Sequence, residues 1–75
     1  MNGLVPLQSR IVFKALKRAG FVLARQKGSH TIWKHPDGRT TVVPVHRGER
    51  IGRGLIRKII SDMEITVEEF LNLLK

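Results

Sequence analysis

Apolar residues recur in this chain with two different periods, and the change from one to the other outlines a fold. Val12, Ala15, Leu16 and Ala19 fall at three- and four-residue intervals, the spacing that lines up one face of a helix of about three turns. Ser9 stands where an N-cap would, and Gly20 stops the helix with Phe21 positioned to fold back on Leu16. The opposite side carries Arg10, Lys14, Lys17 and Arg18. Beyond the glycine the period drops to two. Phe21, Leu23 and Arg25 alternate with Val22, Ala24 and Gln26, which predicts a strand, and Gly28-Ser29 supplies a turn into a second strand from His30 to His35. Pro36-Asp37-Gly38 is a hairpin signal, and the β-branched run from Thr40 to His46 makes the third strand.

The hairpin also predicts a register. With a three-residue loop, His35 pairs with Arg39, His30 falls opposite Pro44 and Gly28 opposite His46. Alternation then puts His30, Ile32, Lys34, Val42, Pro44 and His46 on one face and Trp33, Val43 and Val45 on the other, which is the better core. His30 and His46 become diagonal neighbours on the open face, about 7–8 Å apart along the backbone.

Residues 47–52 read as a Gly- and Arg-containing connector. Leu55, Ile56, Ile59 and Ile60 mark a second helix that carries Arg53, Arg57 and Lys58. In the last segment Thr66 and Glu69 form a capping box, Ile65 can staple onto Phe70, and Val67, Phe70, Leu71 and Leu74 line a short C-terminal helix. The order helix, three-stranded antiparallel sheet, helix and short C-terminal helix defines an α+β fold with the helices on one side of the sheet. Residues 1–75 read as a single domain, with little room for a deep pocket.

Charge changes the picture more than length does. Residues 1–60 hold 13 of the 14 Lys and Arg against Asp37 and Glu49, about +11, while residues 61–75 hold four acids and Lys75, about −3. A cationic surface of this density predicts salt-sensitive binding to nucleic acid, because bound phosphates release counterions. Cysteine is absent, so neither a disulfide framework nor a thiolate metal site is available, in keeping with a reducing cytoplasm. Three scattered histidines near only Asp37 and Glu49 have no recognisable metal-ligand spacing. No apolar run reaches the roughly 20 residues of a membrane span, and the first residues lack a signal-peptide pattern, so a soluble protein is expected.

The candidate chemistry lies at Gly28-Ser29-His30, set between Arg25-Gln26-Lys27 and Ile32-Trp33-Lys34. Histidine exchanges a proton near neutrality, and one surrounded by cations suits acid–base work on a phosphate. Lys27, Lys34 and the amides near Gly28 and Ser29 are candidates to hold phosphate oxygens. His46 is either a general acid or a structural residue where the third strand leaves the sheet, and His35 shapes the hairpin. Trp33 invites base stacking, but its face of the sheet favours core packing.

Taken in order, Gly20-Phe21, Arg25-Gln26-Lys27-Gly28-Ser29-His30, His35-Pro36, Val43-Pro44-Val45-His46, Gly54-Leu55-Ile56-Arg57-Lys58-Ile59 and Val67-Glu68-Glu69-Phe70 resemble the HicA family of bacterial toxins over nearly the whole chain. The resemblance implies a fold similar to the double-stranded-RNA-binding domain and a toxin of a type II toxin–antitoxin system. It further implies endoribonuclease activity on mRNA and neutralisation by a HicB antitoxin; because RNA carries its own nucleophile, the chemistry needs neither a metal nor a cofactor. The family's catalytic histidine falls on His30; Lys27, Gly28, Ser29, Lys34 and His46 are the RNA-binding candidates that the chemistry of the residues around it suggests. The chain departs from the family at Asp62-Met63-Glu64, where relatives often have a small, glycine-containing linker, and in the loop Gly48-Glu49-Arg50-Ile51-Gly52. Two other classes use the same basic face: a non-catalytic RNA-binding module and a protein-interaction module.

Overall fold

The structure, a computed structural model, describes residues 3–75; Met1 and Asn2, and with them the start of the N-terminal reading, lie outside the described residues. Its elements run β1 (Leu7–Gln8), α1 (Ser9–Arg18), β2 (Val22–Lys27), β3 (His30–Lys34), β4 (Thr40–Pro44), β5 (Arg50–Ile51), α2 (Arg53–Met63) and α3 (Val67–Leu73). The fold is α+β, with β2, β3 and β4 forming an antiparallel sheet in chain order. Its helix–sheet–helix order fits a double-stranded-RNA-binding-domain-like arrangement. Among the described residues no helix is long and apolar enough to cross a membrane.

Helix α1 buries Val12, Ala15 and Leu16, the stripe that its spacing predicts. Its start differs from the sequence reading. Ser9 is already helical, and the N-cap is Gln8, whose extended backbone pairs with Arg50 and whose side chain makes no cap. The end is a Schellman turn: the Gly20 amide bonds the Lys17 carbonyl at 3.1 Å and the Phe21 amide bonds the Leu16 carbonyl at 2.9 Å. Gly20 takes φ +95°, a conformation that costs glycine little. Phe21 is therefore a core residue closing the helix, and the strand begins at Val22.

The central hairpin keeps the register that its loop predicts. The His35 amide bonds the Arg39 carbonyl at 2.8 Å, and His30 pairs with Pro44, Ile32 with Val42 and Trp33 with Thr41. Thr31, Trp33, Thr41 and Val43 are buried on the inner face. Phe13 of α1 meets Trp33 there, with ring centroids 4.9 Å apart, and the Trp33 indole N–H donates to Thr31 Oγ1 at 3.0 Å. Helix α2 lies over β4, where the Thr41 hydroxyl donates to Asp62 Oδ2 at 2.8 Å. Strand β4 is shorter than the Thr40–His46 run. Val45 adds one bond to the Ser29 carbonyl, then a turn closed by the Glu49 amide on the His46 carbonyl, with Gly48 at φ +79°, takes the chain away.

Residues 47–52, read as a connector, hold an element of their own: Arg50–Ile51 pairs antiparallel with Leu7–Gln8. This small sheet clamps the segments that enter α1 and α2. At the other end, α3 starts with the expected capping box, Thr66 Oγ1 accepting from the Glu69 amide at 3.0 Å and Glu69 Oε1 from the Thr66 amide at 2.8 Å. Arg18 ties α1 to that helix by donating to the Leu73 carbonyl at 2.8 Å.

Helix α2 ends on Glu64 in the left-handed region, at φ +59° and ψ +42°, the one non-glycine residue with positive φ among the described residues. Its side chain is exposed and makes no hydrogen bond, so nothing offsets the steric cost of about 1–2 kcal/mol that an L-residue meets there. Glu64→Gly removes that cost and loses about 0.4–1 kcal/mol in unfolded-chain entropy. A net gain of about 0.5–1 kcal/mol is expected, seen as a rise of a few degrees in the melting temperature; a lower melting temperature would show that the carboxylate contributes more than the backbone costs.

Candidate active site

Strand pairing fixes what surrounds His30. Lys27 and His30 are directly opposed across the two-residue turn Gly28-Ser29, and opposed residues share a face with Cβ atoms about 4.5–5.5 Å apart. Gly28 has φ +59° and Ser29 does not, the pattern a type II′ turn requires. The space above Gly28 is open, since a Cβ there would meet no atom within 4 Å. The Gln26 side-chain amide steadies the turn by donating to the Gly28 carbonyl at 3.1 Å. His30 is exposed at the start of β3, and its imidazole has no hydrogen-bond partner among the described residues. Ser29 is half-buried and bonds Val45 through its carbonyl; its hydroxyl does not orient the His30 ring.

The outer face can be laid out in rows. Lys27, His30 and Pro44 form the first, Arg25, Ile32 and Val42 the second, and Val22, Lys34 and Thr40 the third. Lys34 therefore shares the face with His30 but sits four residues along β3, about 13 Å away at the strand rise. The two side chains are thus too far apart to meet on one phosphate. The cation in the intervening row is Arg25, and the sequence pattern missed it. Simple alternation places Arg25 on the side of Leu23, but a bulge between Leu23 and Arg25 shifts the register, so Leu23 pairs with Trp33, exposed at the sheet edge, while Arg25 shares the outer face with Lys27 and His30.

His46 is placed differently. It lies two residues beyond the end of β4, in the turn that follows, and lines a shallow cleft of about 240 Å³ with Arg10 and Arg47, a cleft that His30 does not line. The sheet register therefore positions His30 but not His46. His35 is half-buried, with its ring edge on Phe21 at a centroid distance of 5.2 Å, and its Nδ1 lies 3.1 Å from the Asp37 amide. Asp37 in turn accepts from the Arg39 amide at 3.0 Å and from the Arg39 guanidinium at 2.8 Å. The Arg39 amide, helped by its side chain, holds the Asp37 carboxyl below the ordinary aspartate range. Arg39 also lies over the Phe21 ring at 5.2 Å and donates to the Met63 carbonyl, so this corner locks the hairpin to α1 and α2. It is a structural cluster, in line with the hairpin role read for His35.

Trp33 is 1% exposed and has no access to a ligand. Among the described residues no three His, Asp or Glu side chains gather as metal ligands.

The fold and these side chains together define a small α+β domain with an open, cationic sheet face and an exposed histidine beside the turn between β2 and β3. Residues 9–65 match the HicA toxin family of bacterial toxin–antitoxin systems, and the chain belongs to that family. It is thus a toxin of a toxin–antitoxin system by family. A search of curated proteins finds no match.

Proposed function

We propose that this protein is a metal-independent endoribonuclease that cleaves mRNA in the cytoplasm, with His30 as the acid–base residue. The observation that carries the reading is the pairing of an exposed, unbonded His30 with Lys27 across an open glycine turn, in a chain of the HicA toxin family. RNA brings its own nucleophile. His30 takes the 2′-OH proton, the 2′ oxygen attacks the adjacent phosphorus, and the bond to the 5′ oxygen breaks. Lys27, the Gly28 and Ser29 amides and Arg25 are near enough in the sheet to stabilise charge on the phosphorane oxygens. Lys34 holds a phosphate further along the strand. The proton for the leaving oxygen comes from an acid such as His46 or from water.

The products of this chemistry are a 2′,3′-cyclic phosphate and a 5′-hydroxyl end. Purified protein is expected to generate those ends from mRNA in the presence of a chelator. Loss of cleavage on chelation, restored by one divalent ion, would overturn the metal-free reading, and binding with no product at any pH would favour a non-catalytic RNA-binding module. The proposed protein partner is a HicB-type antitoxin with an acidic face complementary to the cations around His30. Added to the same reaction, it is expected to stop cleavage.

A further inference from the structure

The cleft beyond β4 is a second feature with the chemistry of a phosphate site, and the ribonuclease reading does not use its arginines. Arg10 and Arg47 both line it. The β1–β5 clamp sets Arg50 directly opposite Gln8, whose side-chain oxygen accepts from Arg10 Nε at 2.9 Å. That bond uses one Arg10 nitrogen and leaves the end of its guanidinium open. The Arg47 and Arg50 side chains are exposed and make no hydrogen bond or ion pair among the described residues. Glu49 is the one acid lining the cleft, and it pairs with neither of them.

The cleft is contiguous with the His30 turn. Val45 lines it, and the Val45 amide donates to the carbonyl of Ser29, the residue before His30, at 2.6 Å. The cleft thus lies one backbone hydrogen bond away from the residue that precedes His30. Val45 is the only large apolar residue of the lining, so a protein partner would find little to anchor a contact, whereas planar guanidinium groups suit a phosphodiester.

We infer that the cleft bounded by Arg10, His46 and Arg47, with Arg50 at its edge, is a subsite for an RNA backbone phosphate flanking the one that is cleaved. This rests on the proposed ribonuclease function for its direction along the strand, but the binding itself is independent of cleavage. The test measures affinity for a single-stranded RNA oligonucleotide across a salt series by fluorescence anisotropy, in a His30→Ala background, with circular dichroism to check folding. Losing one single-strand phosphate contact lowers the slope of log K against log salt by about 0.7, and Arg10→Gln with Arg47→Gln, which together empty the one subsite, is expected to lower it by that amount. Lys75→Gln, outside both sites, controls for net charge, and Glu49→Gln is expected to tighten binding. In the presence of active His30, the double variant should lose more kcat/KM on a long oligonucleotide than on a dinucleotide, which has no flanking phosphate. An unchanged slope, or an equal fall per charge removed with Lys75→Gln, overturns the subsite. A slope that falls as expected in a protein that never cleaves RNA sustains the subsite and overturns the ribonuclease reading instead.

Discussion

His30→Ala is expected to yield a folded protein that binds RNA and no longer cuts it. General acid–base catalysis is worth about 10²–10⁴-fold, so the cleavage rate should fall by at least the lower figure and reach the background of most gel assays. The side chain has no hydrogen-bond partner among the described residues and lies on the exposed face of the sheet, so its removal leaves neither a cavity nor an unsatisfied polar group. Stability should change by no more than about 0.5 kcal/mol, which a urea titration can check. RNA affinity should also persist, because the cations of the outer face and of the cleft remain. The three measurements separate the possibilities. A folded, RNA-binding, inactive variant supports proton transfer by His30, and loss of folding would mean that the residue supports structure. Cleavage at the wild-type rate by the folded variant would remove His30 from the reaction and leave Lys27 and Arg25 as cations without a base.

What made His30 legible was the hairpin. Pro36-Asp37-Gly38 admits a three-residue loop, and once His35 pairs with Arg39 every later pair follows by counting, down to His30 against Pro44. The inner face enforces that count, since a slip of one residue would expose Trp33 and Val43. Strand β2 carries no such enforcement. All six of its residues are exposed, Val22 and Leu23 included, so a bulge costs no buried apolar surface and leaves no periodic signal. Arg25 was hidden for that reason. The β1–β5 clamp was hidden for another: two-residue strands have no period to read, and their pairing joins segments from opposite ends of the chain. Ser9 misled by one position because Gln8 is held extended by that same pairing. The caps of α3, settled within four residues, were fully legible.

Trp33→Ala is expected to remove a large share of the stability of the domain, about 3–5 kcal/mol. Trp33 is 1% exposed and packs on Phe13, and truncating a buried tryptophan costs about 3–5 kcal/mol. At about 0.05–0.15 kcal/mol per residue, a chain of 75 residues has about 4–11 kcal/mol to lose. The indole N–H is also one half of a buried chain in which Thr31 Oγ1 accepts from Trp33 and donates to the Val43 carbonyl at 2.7 Å, joining β3 to β4. Trp33→Phe keeps a ring against Phe13 and gives up the hydrogen bond, so it should cost about 1–2 kcal/mol, stay folded and leave RNA cleavage intact. Because Trp33 is the only tryptophan, its fluorescence reports unfolding of the wild type directly, and circular dichroism serves for both variants. The pair of substitutions separates core packing from base stacking. A stacking residue would lose RNA affinity on Trp33→Phe or Trp33→Ala at unchanged stability; a core residue loses stability in proportion to the atoms removed while the phenylalanine variant binds RNA as before. A folded, fully stable Trp33→Ala protein with weakened RNA binding would mean that the inner face opens to solvent, and with it the assignment of the active face to the side that carries His30 would fail.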